Sequence, residues 1–257
     1  LQSVISKFKE QNLDIVAISG GDGTIHFTLT ELIKVYGDKR LPKIALLRGG
    51  TLNLIANTLG IRSTTARILT RLLKRYHNDQ KLKFKKLRLM KINQEYGCVF
   101  GMGFGYRFMQ KYYQNRKLNP LVATKTVVES ILSSIVNGKT ALKLSKPFAA
   151  KVYINGEPWT FSKYSAIFAG SVRQIGLEFD LFYHMKKQNE KFHAYGMDIL
   201  PREILPHIGK MFIGKPIEKD GIIDALTDKM EIELSEPIPY TIDGDMSTND
   251  SVLIMAN

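Results

Sequence analysis

Residues 17–30 read AISGGDGTIHFTLT, and this stretch decides the fold of the first part of the chain. The apolar run LDIVAIS at 13–19 leads into the glycines and predicts a strand covered on both faces. A helical pattern follows at once, with apolar residues on one face from Ile25 to Tyr36. Glycine permits close backbone approach, and the first amides of a helix point at one place. The junction therefore predicts a phosphate-binding turn.

Asp22 lies among these glycines, where a carboxylate would repel a phosphate. A magnesium ion bound with a nucleotide would remove that repulsion, so Asp22 is a candidate to contact such an ion directly or through water. The alternative is a plain tight turn in which Asp22 is a helix cap. Thr24 is a candidate for either capping the helix or binding a phosphate oxygen.

The segment KIALLRGGTLNLIANTLG at 43–60 repeats the same device, a buried strand followed by glycines and a helix. Parallel strands that end in glycine turns line one crevice at the carboxyl edge of a sheet, where open α/β sheets bind ligands. Arg48 precedes the second glycine pair, and the sequence leaves open whether it reaches a phosphate or solvent.

Two further helices are predicted in this part of the chain. SVISKFKEQN at 3–12 is a short amphipathic segment. STTARILTRLLKRY at 63–76 has a capping residue at Ser63 or Thr64, an apolar face, and basic residues largely off that face. The second helix either packs on the sheet or faces a membrane surface.

After residue 86 the chain becomes rich in short strands separated by turn signals such as INGEP at 154–158. We predict an N-terminal α/β nucleotide-binding domain with a parallel sheet at 1–86, and a β-rich domain, a sandwich or a curled sheet, at 87–257. Within the second domain, LEFDLFYHM at 177–185 predicts a strand. Helices are predicted for TKTVVESILSSIV at 124–136 and REILPHIGKMFIG at 202–214.

Charge is unevenly distributed. The net charge is +13, and residues 62–91 hold eleven Lys or Arg against one acid, Asp79, a net +10. This segment predicts attraction to an anionic membrane surface, with a solvated helix face as the alternative. No nucleic acid partner is expected, because no recognition motif accompanies the charge. A single cysteine and no long apolar run predict a cytoplasmic protein, peripherally bound to the membrane.

Three motifs together resemble the diacylglycerol kinase catalytic-domain family, which includes bacterial lipid kinases and sphingosine kinases. They are GGDGT at 20–24, GGTLNLIANTLGI at 49–61 and YTIDGD at 240–245. The glycine-rich GMGFGYRF at 101–108 is similar to the first large strand of the family's second domain. The resemblance covers nearly the whole chain, with the motifs in the family's order.

The resemblance implies an ATP- and Mg²⁺-dependent kinase that phosphorylates the hydroxyl of diacylglycerol or a related lipid. It implies that Asp245 is the general base and that Asp22 is the second catalytic carboxylate, with Asp243 the neighbouring candidate for the base. A hairpin turn is the alternative reading of DGD. The nucleotide-binding residues implied are Gly20, Gly21, Asp22, Gly23, Thr24, Ile25, His26, Gly50, Thr51 and Asn53.

The chain departs from the family pattern in four places. It starts 19 residues before GGDGT, where members have 40 or more, so we expect this sequence to lack the first strands of the nucleotide domain. His26 and Phe27 replace an Asn-Glu pair, and Leu54 replaces an Asp that many members carry. The family's structural metal loop has no counterpart in KKQNEKFHAYGMDI at 186–199, so no structural metal is expected there.

Two other functions are considered. A non-catalytic nucleotide- or lipid-binding protein would explain the missing acids. An NAD kinase also carries GGDGT, but its characteristic second turn and its Asn-Glu pair are missing from this sequence. The histidines have no metal-ligand spacing to one another. An edge strand of the second domain is a candidate surface for a homodimer.

Overall fold

The computed structural model describes residues 1–114, 138–176, 179–186 and 190–256. The chain divides into two compact units, Leu1–Leu87 and Arg88–Asn257. The predicted boundary lies between residues 86 and 87, next to this division. The predicted fold class, an α/β part followed by a β-rich part, is confirmed.

The first unit alternates helices and strands, as its hydrophobic periodicity predicts. Its described elements are α1 (Gln2–Glu10), β1 (Ile15–Ile18), α2 (Asp22–Tyr36), β2 (Lys43–Leu46), α3 (Leu54–Thr58) and α4 (Thr65–His77). Thr64 caps α4, because its hydroxyl accepts a hydrogen bond from the amide of Arg67 at 3.5 Å. Of the two capping residues considered, Thr64 is therefore the one used.

The sheet of the first unit consists of β1 and β2, which pair in parallel with Ile15 opposite Lys43 and Ile18 opposite Leu46. The apolar run predicts a strand buried on both faces, and this expectation is wrong for β1. Val16 and Ile18 are buried, whereas Ala17 between them is exposed. Alternate residues of a strand point to opposite faces, so only one face of β1 is covered in the described chain.

The second unit is built on one large antiparallel sheet. Its described strands are β3 (Met90–Ile92), β4 (Glu95–Gly97), β5 (Val99–Gly103), β6 (Phe148–Ile154), β7 (Glu157–Pro158), β8 (Lys163–Tyr164), β9 (Ala166–Gly170), β10 (Phe192–Met197), β11 (Ile222–Thr227), β12 (Lys229–Ile242) and β13 (Asp245–Ala256). Most of them follow the order β11-β10-β9-β5-β12-β13-β3-β4, with β6 also pairing with β12, β7 and β8.

Strand β12 gives this sheet its branched form. Its first half pairs with β6, through Met230–Leu234, and its second half pairs with β5, through Tyr240–Ile242. The register with β13 shifts between Glu233 and Ile238, where the two halves meet. Such an irregularity bends a strand and increases its local twist. The described strands of this unit thus form one branched antiparallel sheet. Buried side chains from both branches form its core, among them Phe100, Met102, Val152, Tyr164, Met230 and Tyr240.

Helices occupy the connections of the second unit. Its described helices are α5 (Phe104–Tyr113), α6 (Lys139–Leu144), α7 (Pro201–Ile204) and α8 (Ile208–Ile213), with short 3₁₀ helices at Tyr183–Lys186 and Leu205–His207. The predicted helix at 202–214 is confirmed as α7, a 3₁₀ turn and α8. The prediction of a strand at 177–185 is wrong for its last residues, because the 3₁₀ helix begins at Tyr183. The helix predicted at 124–136 lies outside the described residues.

Candidate functional site

The first glycine turn connects β1 directly to α2. Gly21 is the N-cap, and α2 begins at Asp22, three residues before the first apolar position of the predicted pattern. The early amides of a helix have no partner within it, and the helix dipole adds positive character there. The amides of Gly23 and Thr24 belong to this first turn, so they form the part of the junction that is suited to an anion.

Backbone contact between the two glycine turns explains most of their glycines. A Cβ atom on Gly50 would lie 2.1 Å from the Cα of Gly21, and one on Gly49 would lie 2.8 Å from the amide nitrogen of Gly20. A Cβ on Gly20 would lie 2.4 Å from the Cβ of Thr24. These separations are too short for any side chain. The turns therefore carry glycine because the ends of two neighbouring strands touch through their backbones.

Gly23 is different from the other glycines of these turns. Apart from its chain neighbours and the backbone of its own helix, a Cβ atom on Gly23 would meet no atom within 4 Å, so contact with the second turn does not require glycine there. The adjacent Thr24 is exposed. Gly23 and Thr24 are thus the residues of the first turn that an external group can approach most closely.

The Asp22 carboxylate joins the two turns. Its oxygens accept hydrogen bonds from the amides of Leu54, at 2.9 Å, and Ile55, at 3.0 Å. Asp22 therefore caps the start of α3, a structural role that differs from capping its own helix. Burial raises the pKa of Asp22 above its ordinary value, although these amide bonds and the charge of Arg48 act to lower it. Its contact with magnesium stays a prediction.

Asn53 and Arg48 shape the second turn. The side-chain oxygen of Asn53 accepts from the amide of Gly50 at 3.1 Å, and its NH₂ group donates to the carbonyl of Gly50. The guanidinium of Arg48 donates to the carbonyl of Ile61 at 2.6 Å. The Asn53 side chain therefore closes the loop. The sequence left open whether Arg48 reaches a phosphate or solvent, and in the structure its guanidinium binds a backbone carbonyl. Thr51 in the same turn is half-buried.

Ile25 and His26 lie further along α2, and both are buried at 1% exposure. The amide of Ile25 bonds to the carbonyl of Gly21 within the helix. Their side chains belong to the core of the unit, and their place among the nucleotide-binding residues stays a prediction. The Asn-Glu pair of the family is replaced here by one buried residue, His26, and one exposed residue, Phe27.

In the second unit, the DGD segment forms the hairpin between β12 and β13. Ile242 pairs with Asp245, and the two loop residues Asp243 and Gly244 both have positive φ, 48° and 89°. This pattern is typical of the tight turn whose twist matches a hairpin. The hairpin turn considered for DGD is therefore present, with Asp243 in the turn and Asp245 as the first residue of β13.

The two carboxylates have different surroundings. Asp243 is 5% exposed, and its oxygens accept from the amides of Cys98, at 2.9 Å, and Val99, at 2.8 Å. Asp245 is half-buried at the start of its strand. The hydroxyl of Tyr113 donates to the carbonyl of Gly244 at 3.0 Å and fixes the hairpin to α5. Asp243 therefore has a structural role, which leaves Asp245 as the candidate for proton transfer.

A cavity of about 450 Å³ lies beside α5 in the second unit, lined in part by Arg107, Lys111, Lys143 and Lys146. The Arg107 guanidinium donates to the carbonyls of Leu144 and Lys146, and burial lowers its pKa. The cavity thus combines basic side chains with apolar residues such as Leu144 and Ile238.

One cluster of ionisable residues was not found from the sequence. His184, His193 and Asp224 come together in the second unit, each offering one ligand atom, with these atoms within 4.8 Å of one another. The sequence carries no local signal for it, because the residues belong to a 3₁₀ helix and two separate strands.

The comparison with family models bears directly on the first unit. Residues 1–83 match the diacylglycerol kinase catalytic domain. The resemblance predicted from the glycine motifs is thereby confirmed for that segment, which contains both glycine turns. A comparison with curated proteins finds no match.

Solved structures resemble the chain over nearly its whole length. A diacylglycerol kinase from Bacillus anthracis superposes with a TM-score of 0.64 at 15% identity, covering 99% of this chain and 77% of that one. A candidate diacylglycerol kinase from the same organism gives 0.69 at 16% identity, covering 98% and 80%. At these identities the similarity establishes the fold, α/β followed by β-rich, and not the activity.

Proposed function

We propose that this protein is an ATP-dependent lipid kinase that transfers the γ-phosphate to a lipid hydroxyl. The observation that carries the proposal is the pair of backbone-packed glycine turns, with Gly23 and Thr24 open to an external group, inside a segment that matches a diacylglycerol kinase catalytic domain. Phosphoryl transfer depends on positioning and charge neutralisation more than on covalent chemistry, and this arrangement suits both needs.

In this proposal the amides at the start of α2 bind the phosphates of ATP, with Gly20, Gly21, Gly50 and Thr51 completing the turns. Mg²⁺ bound with the nucleotide would neutralise phosphate charge, and Asp22 is the residue proposed to contact it directly or through water. Each Asp22 oxygen already accepts one amide bond, and a carboxylate oxygen has further acceptor capacity for a metal-bound water.

Asp245 is the proposed general base, which takes the proton of the lipid hydroxyl as the phosphoryl group is transferred. The alternative base, Asp243, is buried and holds two backbone amides, so its protonation would weaken the hairpin. Asp245 is half-buried at the end of that hairpin, where a substrate could reach it. This difference supports the assignment of the base to Asp245.

Helix α4 supports action at an anionic membrane surface. None of its residues is buried, and its apolar face leaves Leu69, Leu73 and Tyr76 exposed by 37%, 47% and 49%. Arg71 and Lys74 on the same helix are exposed. An exposed apolar face with neighbouring basic residues is typical of helices that lie in a bilayer interface. Among the described residues, no helix is long and apolar enough to cross a membrane.

The kinase proposal is tested with radiolabelled ATP and a panel of lipids, including diacylglycerols and sphingoid bases, in mixed micelles. The intact protein should phosphorylate at least one of them. Asp245→Asn should abolish turnover and retain ATP binding. Asp228→Asn changes an exposed carboxylate of the same unit and should retain turnover. ATP binding without turnover on any lipid would favour the non-catalytic alternative, and no binding of ATP would refute the proposal.

The membrane proposal has a separate test, co-sedimentation with vesicles of neutral lipid or with added anionic lipid. Binding should require the anionic lipid. Each basic residue near such a surface contributes about 1 kcal/mol, so Arg71→Glu with Lys74→Glu should weaken binding by about 30-fold or more. Lys39→Glu with Arg40→Glu makes the same charge change at exposed residues outside the basic segment and should have a smaller effect. Equal effects of the two pairs would refute a specific role for α4.

A further inference from the structure

The cluster of His184, His193 and Asp224 lies entirely in the second unit, and none of its residues takes part in the proposed kinase reaction. His184 belongs to the 3₁₀ helix Tyr183–Lys186, His193 to β10 and Asp224 to β11. Strands β10 and β11 pair antiparallel, with Tyr195 opposite Asp224 and His193 opposite Leu226. The sheet therefore fixes the relative positions of His193 and Asp224, and the 3₁₀ helix brings His184 to the same place.

One carboxylate oxygen is the centre of the cluster. Asp224 Oδ2 lies 2.7 Å from Nε2 of His193 and 3.7 Å from Nε2 of His184. The hydroxyl of Tyr183 donates a hydrogen bond to the same oxygen. Two imidazole nitrogens and one carboxylate oxygen thus converge, with a tyrosine hydroxyl that orients the carboxylate.

The burial of these groups differs in a way that suits a bound ion. The side chain of His193 is 0% exposed, that of Asp224 is 27% exposed, and that of His184 is 44% exposed. His193 Nδ1 is buried with no hydrogen-bond partner among the described residues. Nε2 is therefore the nitrogen through which this buried ring meets a polar group, while the exposed His184 provides access from solvent.

We propose that His184, His193 and Asp224 bind a divalent transition-metal ion of the zinc class. Zinc lies about 2.0–2.2 Å from nitrogen and oxygen ligands, so two ligand atoms of a tetrahedral site are separated by about 3.4 Å. The observed separations require shifts of about 1 Å or less for the pairs that share Asp224. His193 binds the ion through Nε2 as a neutral ring, so the proton that Nε2 shares with Asp224 Oδ2 moves to Nδ1 as the ion takes its place.

The donor set selects the class of metal. Imidazole nitrogens favour zinc, copper, iron and nickel, whereas magnesium and calcium prefer oxygen ligands. Three protein ligands leave a fourth tetrahedral position for water. Tyr183 supplies the outer hydrogen bond that typically orients a ligating carboxylate. The bound ion would join the 3₁₀ helix to β10 and β11.

Metal binding is tested on the full chain after dialysis against a chelator, with Co²⁺ as a spectroscopic substitute for Zn²⁺. Titration should saturate at one Co²⁺ per chain and give the visible absorption of a tetrahedral site. Zn²⁺ should displace it, and Mg²⁺ should not. This readout does not depend on kinase activity, so its failure is distinguishable from failure of the proposed function.

Substitutions assign the ligands. His184→Ala and Asp224→Asn should each weaken binding by more than about 100-fold, while Tyr183→Phe should weaken it by about 10- to 100-fold, as expected for a group that orients a ligand. His77→Ala removes an exposed histidine of the first unit and should retain binding. His184 is exposed, so its variant should fold even where a change at buried His193 prevents folding. No saturable binding, or binding that is unchanged in His184→Ala and Asp224→Asn, would refute the site.

Discussion

Two acidic glycine turns, one in each unit, use the same hydrogen-bonding device. Asp22 follows a strand and holds the amides of Leu54 and Ile55, and Asp243 follows a strand and holds the amides of Cys98 and Val99. In both turns the carboxylate binds two consecutive amides of a distant segment. A carboxylate within a glycine motif can therefore be a structural link between segments, even where its surroundings suggest chemistry.

The two turns differ in the segment that the carboxylate holds and in the surroundings of the residues next to it. Asp22 holds the start of a helix and has a pKa raised by burial, whereas Asp243 holds the start of a strand in a tight hairpin. Beside Asp22, Gly23 borders open space. Beside the Asp243 hairpin, Asp245 is half-buried. In the proposed function, Gly23 and Asp245 are the residues that a ligand would approach.

Loss of the Asp243 carboxylate should have the largest effect on stability. Asp243→Ala leaves the amides of Cys98 and Val99 without their buried acceptor, and a hydrogen bond to a charged group is worth about 1.5–3 kcal/mol. We expect the free energy of unfolding to fall by roughly 3–5 kcal/mol. Urea denaturation followed by a signal from the second unit measures it.

Asp243→Asn is the matched variant, because it retains one acceptor oxygen and tolerates positive φ. Its free energy of unfolding should fall by less than that of Asp243→Ala. Asp228→Ala, at an exposed site, should change the free energy of unfolding by less than about 0.5 kcal/mol. A loss at Asp243→Ala no larger than at Asp228→Ala would show that the two amide bonds do not stabilise the hairpin.

The glycine turns of the first unit allow a matched pair of substitutions. Gly50→Ala places a methyl group 2.1 Å from the Cα of Gly21, so the turns must separate, and we expect a loss of about 2–3 kcal/mol. Gly23→Ala meets no atom within 4 Å and lies in a helical turn, where alanine is favoured by about 0.5–1 kcal/mol. It should be neutral or stabilising, yet weaken ATP binding.

Thermal unfolding and equilibrium binding of ATP measure the two effects separately. If Gly23→Ala binds ATP as tightly as the unchanged protein, phosphate does not approach this residue closely. If Gly50→Ala is as stable as the unchanged protein, the backbone contact between the turns does not limit the size of the residue.

The smallest predicted effect is a pH dependence due to Asp22. Burial raises the pKa of Asp22 in the folded chain, so the folded state binds its proton more tightly than the unfolded state does. The associated stability is present below the ordinary pKa of 3.8 and is lost as the pH rises through the folded-state pKa. Asp22→Asn removes this dependence.

The free energy of unfolding of Asp22→Asn, relative to that of the unchanged protein, should therefore increase as the pH rises from 3 to 7. Urea denaturation of both proteins across this range gives the difference, in which the contributions of other carboxylates cancel to first order. A difference that moves in the opposite direction would mean that the amide bonds of Leu54 and Ile55 outweigh burial and lower the pKa of Asp22.

The sequence predicts the elements that have strong periodicity. The helices α2 and α4, the strands β1 and β2, and the turn at Asn155–Gly156 follow from apolar spacing and turn chemistry. The 3₁₀ helix Tyr183–Lys186 has the apolar and aromatic composition of a strand, so composition misled the prediction. The sequence gives no clear strand pattern for β11 and β13, because acidic and polar residues interrupt their apolar positions.

The sequence predicts those parts of the candidate site that are formed by residues close together along the chain. The turns at Gly20–Gly23 and Gly49–Gly50 are visible in the sequence, but the partners of Asp22 are 32 and 33 residues away from it. Leu54 shows this best: the family pattern often has an acid there, and here the backbone amide of this residue supports Asp22. The cluster at Asp224 is likewise assembled by strand pairing, which no spacing along the chain reveals.

The only cysteine of the chain lies at one end of the Asp243 link, and this gives the protein an intrinsic reporter. Cys98 is 0% exposed, and its own amide donates to the Asp243 carboxylate. A thiol reagent can modify it only when the packing around its sulfur opens, including the contact of the sulfur with the Arg88 carbonyl at 3.8 Å. The rate of thiol labelling in the native protein therefore measures how often that corner of the sheet opens, without any added probe.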